Sequence, residues 1–186
     1  MEVDEILINA EERMENALTA LGNAFGSVRT GRANGRVLDR IKVDYYGAMT
    51  PINQLAGIKT PDAHLLVIEP WDKSSLKAIE KAIQESDLGV TPSNDGAVIR
   101  LPFPALTEER RRELVKQCKG YAEDARVSIR NARRDANATL AKAEKDSEIT
   151  EDDQSRAEKE VQKLTDTYIG KVEDAFKAKE AEVMEI

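Results

Sequence analysis

Residues 106–145 read LTEERRRELVKQCKGYAEDARVSIRNARRDANATLAKAEK, and this stretch decides the fold. Leu114, Cys118, Tyr121, Ala125, Ile129, Ala132, Ala136, Leu140 and Ala143 recur at steps of three and four. That is the spacing of one face of a helix. Thr107 can cap it, because its hydroxyl can accept from a free amide of the first turn. Glu108 and Glu109 then stand where the helix dipole favours acids. Gly120 lies inside the run and costs up to ~1 kcal/mol relative to alanine. A helix over 108–145 would be roughly 55 Å long at 1.5 Å per residue. A small globule cannot cover it.

Two further stripes flank this helix in sequence. Val3, Leu7, Ala10, Met14, Ala17, Leu21, Phe25 and Val28 predict a first helix that ends or bends near Thr30-Gly31. Ile149 to Asp153 interrupts the central helix. Thr150 and Asp153 there resemble a capping box with Asp in place of Glu. Ala157, Val161, Leu164, Tyr168, Val172, Phe176 and Val183 predict a third helix. Each stripe must be buried, and a short turn makes the last two helices antiparallel, so the expected solution is an antiparallel three-helix bundle.

Between the first two helices the texture changes. Val37, Ile41, Val43 and Tyr45 alternate in part, as a strand does; Tyr46-Gly47 and Thr50-Pro51 are turn signals beyond it. His64 opens a short apolar run to Ile68. Leu76, Ile79 and Ile83 predict a helix over 74–86, capped by Asp72 or Ser74. Asn94-Asp95-Gly96 signals a turn, and Val98, Ile99 and Leu101 a last strand. The fold class is therefore α+β. A bundle of residues 1–30 and 105–186 carries an inserted β/α/β domain of residues 31–104. The insertion hangs from two chain crossings, Thr30-Gly31 and Pro104-Ala105, which are the expected hinge.

Composition narrows the function. Aromatics are 4% of the 186 residues and charged residues 34%, which suits long solvated helices better than a deep enzyme pocket. One cysteine, Cys118, allows no internal disulfide and fits a reducing cytosol. With one histidine, His64, a His/Cys metal site is nearly excluded. The first fifteen residues are acidic and do not read as a signal or transit peptide, and no stretch approaches a membrane span. Cys118 lies on the apolar stripe and reads as a core thiol. His64 has no evident nucleophile beside it, Glu151-Asp152-Asp153 is explained by helix-start chemistry, and Gly31, Gly35 and Gly47 make no phosphate loop. No catalytic set, metal or cofactor is expected.

The formal net charge is −7, so nucleic acid could be met only through a local patch. Residues 110–134 hold nine Lys/Arg against three Asp/Glu, a net of +6, while 135–186 hold eight against fifteen, a net of −7. At 100° per residue, Lys119, Arg126, Arg130 and Arg133 fall in a row beside the apolar stripe, continued by Arg112 and Asn137. Guanidinium groups offer phosphate a planar fork of donors. The plain alternative is a solvated face whose arginines pair with acids of the neighbouring helices. Arg29 has its own alternative, a cation at a helix C-terminus. A helical adaptor that binds proteins is the rival function, and it requires an exposed apolar groove.

Six blocks then resemble one family. They are Arg29-Thr30-Gly31-Arg32-Ala33, Asp44-Tyr45-Tyr46-Gly47, Ser86-Asp87-Leu88-Gly89, Leu106 to Arg111, Arg130 to Asn137, and Gln162-Lys163-Leu164-Thr165-Asp166. In this order, along the whole chain, they are similar to ribosome recycling factor. The resemblance implies an L-shaped, non-enzymatic, monomeric protein of the cytoplasm, and the start of the chain looks like the bacterial form. It implies binding to large-subunit ribosomal RNA and joint action with elongation factor G and GTP. The post-termination ribosome is then split, and messenger RNA and tRNA leave. The family's RNA-contacting positions match Arg29, Arg130 and Arg133; Arg32, Lys119 and Arg126 join them by position.

Overall fold

The computed structural model describes residues 2–185. Helix α1 (Val3–Ser27) is followed by strands β1 (Lys42–Tyr45), β2 (Ala48–Pro51), β3 (Ala56–Asp62) and β4 (Leu65–Pro70). Helix α2 (Leu76–Glu85), strands β5 (Ser93–Asn94) and β6 (Ile99–Pro102), and helices α3 (Glu108–Lys145) and α4 (Glu151–Met184) complete the α+β chain. It divides into two compact units. One takes the chain up to Phe25 together with Lys116–Glu180; the other takes Gly26–Val115 and the stretch from Ala181 onward. The first and last residues, on which the expected bundle boundaries 1 and 186 fall, lie outside the described residues.

The first unit is a three-helix bundle. Ile6 and Ala10 of α1, Ala136 and Leu140 of α3, and Ala157 and Val161 of α4 form one buried cluster. Arg13 of α1 bonds Asp135 of α3 at 2.7 Å, and Tyr168 of α4 donates to Glu15 of α1 at 2.8 Å. These pairs run α1 alongside α4 and antiparallel to α3. Most of the expected seam positions are buried, but Val3, Leu7, Tyr121, Leu164 and Phe176 are only half-buried. Ala122 takes the buried position beside Tyr121; Gln117, one turn back, donates to the Tyr121 hydroxyl at 2.9 Å. A phenol that keeps its oxygen wet loses less than one buried without a partner.

Helix ends follow the capping chemistry. Thr107 Oγ1 accepts from the amide of Arg110 at 3.1 Å. Thr150 Oγ1 accepts from the amide of Asp153, and the Asp153 carboxylate accepts from that of Thr150, so the capping box is reciprocal. Between α3 and α4, the amide of Glu148 bonds the carbonyl of Ala143 and that of Ser147 bonds Glu144, both at 2.9 Å. This is a Schellman closure with Ser147 at φ 60 where glycine is usual. A side chain there costs roughly 1–2 kcal/mol, partly offset by glycine's greater freedom in the unfolded chain. Ser147→Gly is expected to stabilise the protein by about 0.5–1 kcal/mol, read as a raised urea midpoint at unchanged m-value.

The second unit has a core of Val37, Leu38, Val43, Ile52, Leu66, Ile68, Ile79, Ile83, Ile99, Leu101 and Phe103, among others. Its four-stranded sheet has the order β3-β4-β6-β5 with every pair antiparallel; β1 and β2 form a separate hairpin. Strands stand on both sides of α2, as the β/α/β reading expected. The chain from β4 through α2 returns antiparallel, with β5 on the sheet edge, and β2 and β3 were not expected. β3, AGIKTPD, carries Gly57 and Pro61, and the register shifts between Lys59 and Asp62. Pairing with β4, not residue preference, makes it a strand. Val37 lies in a short 3-10 turn (Gly35–Leu38), and Ile41, His64 and Val98 lie just outside strands. Asp72, not Ser74, caps the turn before α2, accepting from Ser74 N at 3.0 Å.

At the predicted turn Asn94-Asp95-Gly96, Asn94 Oδ1 accepts from the amide of Gly96 at 3.1 Å, and one carboxylate gathers three further donors. Asp95 accepts from the amides of Val98 (3.0 Å) and Ala97 (2.9 Å) and from the Arg100 guanidinium (3.0 Å). The amide bonds, Val98's first, and then Arg100 pull its pKa down to about 2. The folded pKa lies below the unfolded one. Its stabilisation is therefore complete above about pH 4 and lost as pH falls through about 2. A carboxyl-carbon NMR titration should place the Asp95 midpoint near 2. Asp95→Asn should flatten the stability slope between those pH values.

Candidate nucleic-acid interface

The arginine row lies where the helical spacing puts it. On α3, Arg126, Arg130, Arg133 and Asn137 are half-buried beside the apolar seam, and Lys119 is exposed. Their states differ. Arg126 is 19% exposed and bonded to Glu123 (3.0 Å) and to Glu173 of α4. Burial works against its charge, but the bonds to Glu173 and Glu123 outweigh it and leave the pKa above the ordinary arginine value. Here the plain alternative is what the structure contains: an arginine pairing an acid of the next helix. Arg130 lies 3.6 Å from Glu123, a looser pair.

The side chain of Arg133 makes no hydrogen bond or ion pair with any described residue, and the same is true of those of Lys119 and Arg134. Arg134 is exposed and was missed. It lies 100° round from Arg133, off the row that the wheel picked out; only its place in the Arg-Arg dipeptide could have flagged it. Asn137 follows Arg133 by one turn and buries its Oδ1 without a partner. A guanidinium with no internal acid need not give up an existing pair to bind an anion.

The second unit holds the other expected residues. Arg29 is 5% exposed. Its Nη2 donates to the carbonyl of Pro104 at 2.8 Å, its guanidinium lies 5.3 Å from the centre of the Phe103 ring, and its Nε is buried without an acceptor. Burial first, and then nearby Arg110, lower its pKa. Arg29 lies beyond the end of α1 and spends its donor on the outgoing chain crossing. Its guanidinium is thus held by the outgoing chain as well as placed near the end of α1. Arg32 is exposed with no ion pair; its amide donates to Thr30 Oγ1 at 3.3 Å. Arg112 also belongs to this unit and bonds Glu108 at 2.6 Å. Cys118 is a buried thiol whose pKa burial raises. Among the described residues there is no group of three His, Cys, Asp or Glu placed to hold a metal, and no helix is long and apolar enough to cross a membrane.

The arrangement offers a polyanion two cations without an acid partner at Arg133 and Arg134, with the loosely paired Arg130 one turn before them. The family model described as ribosome recycling factor matches residues 21–184. The ribosome-recycling factor of Oleidesulfovibrio alaskensis is 55% identical over 184 residues, covering 99% of this chain and 100% of the relative. That of Halalkalibacterium halodurans is 58% identical over 182 residues, 98% of each. A solution structure of ribosome recycling factor aligns over 100% of this chain and 99% of its own, at TM-score 0.77 and 42% identity. A model of the T. thermophilus factor, described with E. coli elongation factor G bound to the E. coli post-termination complex, aligns over 99% and 100% at TM-score 0.67 and 44% identity. Matched from end to end by sequence and by fold, this chain belongs to the ribosome recycling factor family.

Proposed function

We propose that the protein binds the post-termination ribosome and, with elongation factor G and GTP, splits the subunits so that messenger RNA and tRNA leave. The observation that carries the RNA contact is Arg133: a half-buried guanidinium inside the Arg130-to-Asn137 motif with no partner of its own. A donor fork without an acid partner, next to the exposed Arg134 and on the same helix as Lys119, suits a phosphate anion. Arg130 and Arg133 take large-subunit RNA, with Lys119 and Arg32 as outlying contacts. Arg126 serves the bundle first. Arg29 belongs to the same set mainly as a support, since its Nη2 already holds the Pro104 carbonyl.

Residues 31–104 act as the moving domain, with Thr30-Gly31 and Pro104-Ala105 as the joint. The chain itself is a monomeric cytoplasmic factor without catalysis, and the energy comes from its GTP-hydrolysing partner. The adaptor alternative needs an apolar groove. The groove between α1 and α3 has Ile6, Ala10, Ala132 and Ala136 at its floor, but these are already buried in the bundle, and its edges are Asn9, Glu12, Arg13, Asp135 and Thr139.

Light scattering of post-termination ribosomes tests this reading. Scattering should fall only when this protein, elongation factor G and GTP are all present, and the fall should vanish with Arg133→Glu. No fall with the folded wild-type protein rejects the function. A full fall with Arg133→Glu rejects the RNA contact.

A further inference from the structure

The turn between β3 and β4 touches both crossings of the joint. Its backbone is tied first. The amide of Ala33 donates to the carbonyl of Ala63 at 2.7 Å, and that of Phe103 to the carbonyl of His64 at 2.7 Å. Asp62 Oδ1 accepts from the amide of His64 at 2.7 Å and holds the turn's own shape. The imidazole then adds a second tie to each side. Its Nδ1 lies 3.1 Å from the carbonyl oxygen of Gly31 and 3.2 Å from that of Phe103. A carbonyl can only accept, so Nδ1 must carry the proton.

We propose that His64 is the pin of the joint: a positioning residue whose single Nδ1–H, shared by the carbonyls of Gly31 and Phe103, makes the incoming and outgoing crossings move together. The proposal rests on reading residues 30–31 and 104–105 as that joint. The chemistry comes from the shared donor. With one hydrogen between two acceptors, a carbonyl that withdraws leaves the hydrogen to the other, and a carbonyl that advances draws the ring from the other, so the two segments are coupled rather than merely anchored. Arg29 adds a second clasp on the same side, through Pro104. The ring is exposed at its edge, so the pin is weak enough to release when a partner moves the domain.

Nitrogen NMR of the full chain at mildly alkaline pH reads the tautomer, and hydrogen exchange across residues 30–33 and at Phe103, Ala105 and Leu106 reads the coupling. Expected are a proton on Nδ1 and, in His64→Ala, exchange about fivefold faster at both crossings, the effect of losing one ordinary hydrogen bond. His64→Asn, whose amide nitrogen stands where Nδ1 does, should restore most of the protection. A proton on Nε2 alone overturns the proposal. So does His64→Ala exchanging like wild type, or at one crossing only. Failure of the joint reading looks different. Residues 30–33 and 103–106 would then exchange no faster than β6 in the wild type, whatever the tautomer, and the pin would fall with it. Failure of the ribosomal reading would appear only in the scattering assay.

Discussion

Arg130→Glu together with Arg133→Glu is expected to abolish ribosome binding while the helical signal and urea midpoint stay close to wild type. Each guanidinium would lose a charge-assisted hydrogen bond, worth roughly 1.5–3 kcal/mol, and each introduced carboxylate would repel phosphate. Two such losses amount to about 3–6 kcal/mol, or roughly two to four decades in Kd. Truncation to alanine should cost less and lower the salt dependence of binding by about one phosphate contact per residue. The fold should tolerate both changes, because Arg133 has no internal partner and Arg130 only a 3.6 Å pair with Glu123. Arg126→Ala is the control. It removes the tie between α3 and α4, so it should lower stability by up to about 1 kcal/mol and leave affinity nearly unchanged. A filter-binding titration at two salt concentrations decides the matter. Wild-type affinity and slope in the double variant would end the phosphate assignment.

Leu140→Ala is expected to destabilise the bundle by about 2–5 kcal/mol. The reason lies in the poverty of the seam. Along α3 the buried positions include Ala122, Ala125, Ala132, Ala136 and Ala143, which let helices approach closely but bury little apolar area each. Ile129 and Leu140, both fully buried, carry much of the rest. Leu140 packs in the cluster with Ile6, Ala10, Ala157 and Val161, whose alanines are too short to reach the space left behind and whose Ile6 and Val161 are β-branched and stiff at χ1. Leu164 on α4 is half-buried, so Leu164→Ala should cost distinctly less. Leu140→Met keeps the volume and should stay within about 1.5 kcal/mol. Urea unfolding of the three variants gives the ranking. Equal losses at Leu140 and Leu164 would show that burial does not control this seam.

The three long helices, the caps at Thr107 and at Thr150 with Asp153, the arginine row and the family blocks were all determined by sequence alone. They are local: a helix writes its 3.6-residue period, and a cap its acceptor, within a few positions of the residues concerned. Only tertiary structure decided the rest. β3 exists because β4 lies beside it, and two-residue β5 because β6 does; neither has a period long enough to read. Ser147 adopts a left-handed backbone because the Schellman closure between α3 and α4 requires it. Arg126 and Arg133 look alike on a helical wheel. What separates them is Glu173, 47 residues away, which reaches the first and not the second. Arg29 reads in sequence as a helix-end cation, and only the fold puts the carbonyl of Pro104 and the ring of Phe103 about it. Pairings across such distances leave no mark in the spacing of either partner, because the energy that selects them appears only when the chain has closed the loop between them.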